Sequence, residues 1–332
     1  MKVGVLQFFS WPERRVALPT VYARALERIE IMDRTGFDAV WLAEHHFSTF
    51  SVCPSVHMLG VLAAARTRRL RIGTGVSLAA FYHPLRLAEE VALLDVLSGG
   101  RVNWGAGRGF AGVEFAAFGV PPSESASRFR EAVEIVLKAW TDERLTYHGA
   151  HYDFDQLEVL PKPLQQPHPP VWMAAASPPA IEWAASRGFS ILMDPHATFI
   201  DLAAKRRHYG TELAKAGFSD AGREIPMARL LVVAETRERA AEIARRGATW
   251  QVGAYSGPKH QNEKVMVAPR DYGGLDPVDH YVGKVMLHGT PDMIVDRVQQ
   301  LKEEIGLNYL LAAPMSHESF MLLADKVLPR IA

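Results

Sequence analysis

The sequence predicts an α/β protein built as a single (β/α)8 TIM barrel. Short apolar runs alternate with stretches of helical period along all 332 residues, which is the pattern of strands separated by crossover helices. Eight strand–helix pairs can be traced, and that number favours a closed barrel, with an open doubly wound sheet as the alternative. No low-complexity tract or short-period repeat divides the chain, so we expect one domain over residues 1–332.

The predicted strands are apolar on both faces, as expected of parallel strands buried beneath helices. They cover residues 3–8, 39–42, 70–76, 102–106, 171–175, 190–193, 230–234 and 309–312. Amphipathic stretches separate them and supply the crossovers that parallel pairing requires. These predicted helices cover residues 22–35, 56–66, 85–97, 128–140, 180–186, 200–215, 237–246 and 293–304.

Two insertions interrupt this alternation. Residues 143–170 hold several aromatic residues and then several prolines, which predicts a β-hairpin followed by an extended connection. Residues 254–287 are rich in glycine and polar side chains and show no clear helical period. Because loops of that length are usually functional or disordered, the second insertion is a candidate lid loop over one mouth of the barrel, with disorder as the alternative.

Composition excludes several classes of partner. Lys plus Arg number 37 and Asp plus Glu number 37, so no charge excess favours nucleic acid or an anionic membrane. The single cysteine, Cys53, excludes an internal disulfide and a thiolate metal site; packing is its expected role. No apolar run approaches the roughly 18 residues of a membrane span, and no leader precedes the first predicted strand, so a cytoplasmic location is expected.

A pair of histidines follows the second predicted strand, in the segment Glu44-His45-His46-Phe47. Barrels carry their reactive groups on the loops after strands, and adjacent residues there point in different directions. Three interpretations remain for each imidazole: a structural residue hydrogen-bonded to a neighbouring strand, a group that transfers protons at the ligand mouth, or a metal ligand. The third lacks partners at metal-binding spacing, so we expect no metal.

Two further loops suggest an anion site. Gly107-Arg108-Gly109 follows the fourth strand, where the glycines allow close approach and the guanidinium matches a phosphate; a salt bridge across the mouth is the alternative. Ala176-Ser177 follows the fifth strand and opens a helix. Helix N-termini bind anions, although a serine there most often caps its own helix. Together these two loops would form a phosphate clamp.

Four aromatic residues could line an apolar substrate pocket near these loops, with core packing as the alternative. They are Phe8, Phe47, Trp104 and Phe110. Neither a G-x-S-x-G elbow nor a Walker loop occurs in the chain, which argues against serine hydrolase and P-loop chemistry.

The chain resembles the bacterial luciferase (alkanal monooxygenase-like) family of flavin-dependent monooxygenases. Several of the family's motifs occur in the same order, densely through about residue 140 and more loosely beyond. They lie at residues 36–47, 71–76, 83–86, 93–101, 107–109 and 182–185.

This resemblance implies a barrel, usually dimeric through its early helices, that takes reduced FMN from a separate NAD(P)H-flavin reductase. With dioxygen, such enzymes insert one oxygen atom into a small organic substrate, while the other leaves as water. His45 inherits the catalytic acid–base role, and Arg108 with the helix after Ser177 inherits the phosphate contacts. Gly75-Val76 corresponds to a non-proline cis bond beneath the flavin.

Two departures from the family pattern are visible. Gly107 stands where the light-emitting members carry a reactive cysteine, so we do not expect light emission. Ala180 replaces a phosphate-contacting threonine, which leaves more of the clamp to Arg108. Three alternative functions remain: hydride transfer with a deazaflavin (coenzyme F420-type) or FMN and no oxygen insertion, flavin binding without catalysis, and metal-dependent hydrolysis.

Overall fold

A computed structural model of the protein describes residues 1–256 and 272–332. Its centre is a curled sheet in which every strand pairs in parallel with its neighbours, in the order β11-β10-β12-β1-β2-β3-β5-β8-β9, with β4 beside β5. A separate antiparallel hairpin is formed by β6 and β7. The strands are β1 Lys2–Gln7, β2 Ala39–Leu42, β3 Arg71–Thr74, β4 Ser77–Leu78, β5 Val102–Gly107, β6 Leu145–His148, β7 Asp153–Leu157, β8 Val171–Ala174, β9 Ser190–Leu192, β10 Pro226–Val233, β11 Leu287–Gly289 and β12 Tyr309–Pro314.

Helices connect the strands and pack on the outer face of the sheet. They are α1 Leu18–Thr35, α2 Val56–Arg66, α3 Pro84–Ser98, α4 Gly112–Ala117, α5 Ser125–Thr141, α6 Pro178–Ser186, α7 Phe199–Lys215, α8 Arg237–Ser256, α9 Pro277–His280, α10 Pro291–Ile305, α11 His317–Leu322 and α12 Leu328–Ile331. A 3-10 turn spans Pro12–Arg14, and π-helical turns span Tyr281–Val285 and Leu323–Val327. In the described ranges, no helix combines the length and apolar character needed to cross a bilayer.

Local sequence signals explain where several helices begin and end. Ser55 caps α2, because its hydroxyl accepts a hydrogen bond from the Met58 amide at 3.2 Å. Thr198 and Asp201 form a reciprocal capping box at the start of α7, which satisfies two amide groups that lack helical partners. Helix α1 ends at Gly36, whose φ of 98° lies in the left-handed region that favours glycine.

Large side chains fill the interior of the curled sheet on the side away from the carboxyl ends of its strands. Trp41 lies at the centre, with its ring edge-on to Trp172 at 5.2 Å and its indole N–H donating to the Tyr309 hydroxyl at 3.1 Å. Gly73 makes room for this ring, since a Cβ atom there would lie 2.3 Å from it. Leu6 and Leu192 belong to the same cluster and also line the open space at the carboxyl ends of the strands.

All eight predicted strands are present, and the predicted hairpin in residues 143–170 is confirmed. Strands β4 and β11 were not predicted, because β4 directly follows the predicted strand at 70–76 and β11 begins at the end of the insertion at 254–287. The prediction of no helical period in residues 254–287 is wrong in part, since α8 continues to Ser256 and α9 with a π-helical turn spans Pro277 to Val285. Residues 257–271, the central part of the predicted lid, lie outside the described residues.

Candidate active site

A cavity of about 1240 Å³ opens at the carboxyl ends of the strands. The residues around it come from the loops after six strands of the curled sheet, which is where a β/α architecture places its site. Nine of the eleven sequence-predicted site residues line this cavity: Phe8, His45, Gly75, Val76, Gly107, Arg108, Phe110, Ala176 and Ser177.

The remaining two predicted lining residues lie elsewhere, and these predictions are corrected. Trp104 points outward from β5 into the layer between sheet and helices, where it is fully buried and packs edge-on against Trp140 of α5 at 4.9 Å. Phe47 adopts a left-handed φ of 55° and turns away from the cavity. Its side chain is 63% exposed and contacts Phe118 with a ring separation of 5.5 Å.

His45 reaches the cavity inside an aromatic enclosure. Its ring stacks on Phe8 at 6.2 Å and meets Phe50 and Phe110 edge-on at 4.9 and 6.0 Å. Burial, with a smaller contribution from neighbouring His46, lowers the pKa of His45 to about 4. The imidazole is therefore neutral at pH 7, so one ring nitrogen can accept a proton while the other can donate one.

His46 points away from the cavity, as the geometry of adjacent residues predicts. Its Nε2 lies 3.0 Å from a carboxylate oxygen of Glu44, and its ring meets Phe118 edge-on at 4.8 Å. The second imidazole of the pair is therefore held by the loop, while the first faces the cavity.

Arg108 leaves the end of β5 between Gly107 and Gly109, and Gly109 has a φ of 83°. The guanidinium is partly buried in the cavity wall, and this burial lowers its pKa from the usual value. It forms no ion pair with any carboxylate of the described residues. The salt-bridge alternative is thus not observed within this part of the chain, and the cation remains available to an anionic ligand.

Ser177 stands at the N-terminus of α6. Its carbonyl accepts the amides of Ala180 and Ile181 at 3.1 and 3.0 Å, but its hydroxyl makes no capping hydrogen bond to this helix, which is described throughout. The alternative in which the Ser177 side chain caps its own helix is therefore not observed. The first two helical positions are Pro178 and Pro179, which have no N–H, so this helix start offers fewer amide donors than the sequence analysis expects.

The peptide bond between Gly75 and Val76 is cis, as the resemblance implies. The Gly75 amide donates to the Leu42 carbonyl at 2.7 Å, which fixes this turn against the end of β2. Both residues line the cavity.

Glu114 is a site residue that the sequence analysis missed. It lies in the six-residue helix α4, is 1% exposed, and its Oε1 accepts the His46 amide at 3.0 Å. The same oxygen lies 3.9 Å from Nδ1 of His45. Burial raises the pKa of Glu114 to about 7. A single acidic residue inside the apolar stretch Gly112–Ala117 is the only sequence signal of this position.

The far wall of the cavity is polar and adds charged side chains to the aromatic residues named in the sequence analysis. Asp194 and Lys205 form an ion pair at 2.9 Å. Burial by itself would raise the pKa of Asp194, but Lys205, His196 and Arg229 outweigh it and hold the pKa at about 2. Arg229 is fully buried and donates to the carbonyls of Asp194 and Ala197, both at 2.6 Å. These bonds fix the loop after β9.

Fold and site together define a TIM-barrel-like α/β protein with a large cavity at the carboxyl ends of its strands. A neutral imidazole lines this cavity, together with a guanidinium that forms no ion pair in the described part of the chain. Comparison with known proteins specifies the family. The family model described as luciferase-like monooxygenase matches residues 1–309, and the chain belongs to that family, as the resemblance predicted.

Individual relatives match parts of the chain. A protein of Sinorhizobium fredii described as uncharacterized, y4wF, is 42% identical over 53% of this chain and 51% of its own length. The oxygenase component of the flavin-dependent trigonelline monooxygenase of Acinetobacter baylyi is 32% identical over 66% of this chain and 61% of its own length. The chain therefore spans about half to three fifths of these relatives. Among solved structures, the monooxygenase RslO1 from Streptomyces bottropensis is 27% identical, covers 100% of both chains and has a TM-score of 0.85.

Proposed function

We propose that the protein is the oxygenase of a two-component flavin-dependent monooxygenase, which uses reduced FMN and dioxygen to insert one oxygen atom into a small organic substrate. One observation carries the proposal: a partly buried cation, which forms no ion pair among the described residues, and a neutral imidazole face the same cavity. Family membership agrees with this. The name of the relative from Acinetobacter baylyi, an oxygenase component, supports a separate flavin reductase as transient partner.

The cavity residues fit an FMN molecule. Arg108 would hold the phosphate through charge-assisted hydrogen bonds, and the hydroxyl of Ser177, which does not cap its own helix, would add a donor. Gly75, Val76 and Gly107 would form a closely packed wall against the ring system, and Ala176 would lie near the phosphate. When bound, the reduced flavin supplies the electrons that activate dioxygen, while the protein orients it and limits water.

His45 would then move a proton at the reacting centre. Its ring is neutral because the surrounding aromatic side chains exclude water, and a neutral imidazole exchanges a proton without first losing one to solvent. The protein's contribution is thus to keep this ring dry and oriented toward the cavity.

The substrate would lie between the flavin and the far wall. Phe8, Phe110 and Ile200 offer apolar surface, while the Asp194–Lys205 pair offers polar contacts. We therefore infer an organic molecule with an apolar body and at least one polar group.

Two measurements test the proposed function. The purified protein should bind FMN, and with a flavin reductase, NAD(P)H and labelled dioxygen it should transfer one labelled oxygen atom to a product from a panel of aldehydes, ketones, sulfonates and terpenes. Oxidised product without label would instead indicate hydride transfer, the alternative in which a deazaflavin or FMN acts without oxygen insertion. A product of the same yield without any flavin would refute both.

We also infer that the curled sheet is a complete eight-stranded barrel within one domain over residues 1–332. A parallel bridge between Met193 and Met227 supports this, because it joins the end of β9 to β10. The ring closed in this way contains eight strands, in the order β10-β12-β1-β2-β3-β5-β8-β9, and leaves β4 and β11 outside it. The Met193 amide donates to the Pro226 carbonyl at 2.9 Å, and the Ala228 amide donates to the Met193 carbonyl at 3.1 Å.

A homodimer through the early helices is a further part of the proposal. Helices α2 and α3 pack side by side and together expose a patch of apolar side chains. Apolar patches of this kind often mark protein–protein interfaces. The exposed apolar residues on these two helices are Met58, Val61, Leu62, Leu93, Val96 and Leu97.

A further inference from the structure

Four titratable side chains form a cluster at the cavity wall, and the proposed function uses only one of them. Glu44, His45 and His46 follow β2, and Glu114 approaches them from α4. The cluster divides into two pairs. In the first pair, Oε1 of Glu44 lies 3.0 Å from Nε2 of His46. In the second pair, Glu114 lies on the Nδ1 side of the His45 ring.

The carboxyl group of Glu114 has more hydrogen-bonding capacity than its structural contact uses. Oε1 accepts the His46 amide, which is sufficient to anchor α4 to the loop after β2. Oε2 is buried and has no hydrogen-bond partner in the part of the chain that the structure describes. Leaving such an oxygen unsatisfied is unfavourable, so a purely structural residue at this position would be expected to be an amide, a hydroxyl or an apolar group.

His45 lies where its ring could form a hydrogen bond with the carboxyl group of Glu114. Neither ring nitrogen of His45 has a hydrogen-bond partner among the described residues, and Oε1 of Glu114, the oxygen that accepts the His46 amide, lies 3.9 Å from Nδ1. Catalytic hydrogen bonds are often long before ligands bind, and a small rotation of either side chain would close this distance. Because Nδ1 faces Glu114, Nε2 is the nitrogen left for the cavity.

We propose that Glu114 is the proton partner of His45 in the reaction assigned above, an inference that rests on the proposed function. Protonated Glu114 donates its proton to Nδ1 while Nε2–H gives its proton to an acceptor in the cavity. One O–H bond and one N–H bond break, one N–H bond forms at Nδ1, and one bond to hydrogen forms at the acceptor. The imidazole is neutral before and after, and Glu114 changes from a neutral carboxylic acid to a carboxylate as the acceptor gains its proton. The reverse sequence takes a proton from the cavity.

The electrostatics of the cluster agree with this direction. Burial raises the pKa of Glu114 to about 7, against the opposing influence of the His46 amide and ring and with a further rise from Glu44. Burial and His46 lower the pKa of His45 to about 4. Between these values the pair holds one exchangeable proton, and it resides on Glu114. Tyr82, whose pKa is also raised by burial and by Glu44, faces Glu44 and not Glu114.

The test is a pH titration of His45 by NMR in the flavin-free protein labelled at the histidine rings. The signal of His45, one of 13 histidines, is assigned by its loss in His45→Asn. In the wild-type protein we expect the His45 signal to show an inflection near the pKa of Glu114. In Glu114→Gln, which keeps an oxygen for the His46 amide, that inflection should vanish, because the side chain at position 114 no longer changes its charge near pH 7.

Two further variants complete the design. Glu114→Asp keeps an ionisable carboxyl and should keep the inflection, which also covers the case in which Glu114→Gln does not fold. Glu90→Gln is the matched control, because Glu90 contacts Nδ1 of a different histidine, His57, at 2.9 Å; it should move the His57 signal and leave His45 unchanged. Identical His45 titrations in wild type and Glu114→Gln would overturn the proposal.

Activity then separates this inference from the proposed function. If the protein oxygenates its substrate, Glu114→Gln should bind FMN as tightly as wild type, since Glu114 does not line the cavity, and should lose the limb of the kcat–pH profile near pH 7. If no oxygenation occurs with any flavin, the proposed function fails, while the His45 titration still decides whether the two side chains share a proton.

Discussion

The side chain of Val76 occupies the space that a side chain at position 107 would need. A Cβ atom built on Gly107 would lie 2.4 Å from Cγ2 of Val76, far inside van der Waals contact. The two residues are brought together by the pairing of β4 with β5, in which Leu78 lies opposite Gly107. The turn after β3 and the start of the Gly107-Arg108-Gly109 loop therefore form one packed unit in the cavity wall.

Substitution of Gly107 should disturb this unit. Gly107→Ala overpacks the wall, and we expect the free energy of unfolding to fall by about 1–3 kcal/mol and FMN binding to weaken. Val76→Ala in the same chain removes the clashing methyl groups and should restore most of both losses. Chemical denaturation and flavin fluorescence measure the two quantities. Gly253→Ala, where no described atom would lie within 4 Å of the new Cβ, is the control; failure of the double variant to recover would show that the clash is not the cause.

Arg108 should contribute affinity for the phosphate and not for the flavin ring. Arg108→Ala removes charge-assisted hydrogen bonds worth about 1.5–3 kcal/mol, so FMN affinity should fall by roughly ten- to a hundredfold. Riboflavin has the same ring system without the phosphate, and its affinity should hardly change. Fluorescence titrations with both ligands make this comparison, and Arg34→Ala on the exposed face of α1 serves as the protein control. Equal losses for FMN and riboflavin, or no loss for FMN, would mean that Arg108 does not bind the phosphate.

Alanine substitutions of Ser177 and Ser55 should distinguish a residue that binds the ligand from one that caps its helix. Both precede a helix, but only Ser55 accepts an amide of its helix through its hydroxyl. We expect Ser55→Ala to cost about 1 kcal/mol of stability without affecting FMN affinity. Ser177→Ala should leave stability unchanged and weaken FMN binding. The reverse pattern would return Ser177 to the role of an ordinary cap.

The sequence was sufficient to locate His45 and Arg108, because both directly follow apolar strands whose carboxyl ends must meet in a β/α fold. Trp104 shows what it could not determine. All six residues of β5 are buried, so the apolar pattern carries no phase that distinguishes the inward side from the outward side. This ambiguity between the inward and outward faces of a strand does not affect glycines, because a glycine allows close packing on whichever face it lies.

Glu114 was beyond sequence reasoning for a different reason. Helix α4 has six residues, too few for a helical period, and a glutamate in such a segment is normally solvated. Only the three-dimensional approach of α4 to the loop after β2 buries it beside His45. Phe47 was misplaced because its positive φ reverses the direction of the chain at a residue type that rarely adopts it.

The buried neutral state of His45 should make stability depend on pH in the acidic range. The pKa of His45 falls from 6.5 to about 4 on folding, so the unfolded chain binds more protons between these values. This contribution is fully present above about pH 6.5 and is lost as the pH falls through 4, by up to about 3 kcal/mol. Denaturation at pH 7 and pH 4.5 should therefore show His45→Asn gaining stability relative to wild type at the lower pH. A difference between the two proteins that is the same at both values would contradict the neutral assignment.

The exposed apolar face of α2 and α3 should determine the oligomeric state. Leu97 is 57% exposed on α3, and Leu97→Asp would bury a charge without a partner in any dimer formed through this face, which costs several kcal/mol. We expect wild type to elute as a dimer and Leu97→Asp as a monomer in size-exclusion chromatography with light scattering. Leu157→Asp is the matched control, because Leu157 is 39% exposed on the β6–β7 hairpin, away from these helices. If both variants remain dimeric, the interface lies elsewhere; if wild type is monomeric at all concentrations, the apolar face has another use and the dimer proposal is wrong.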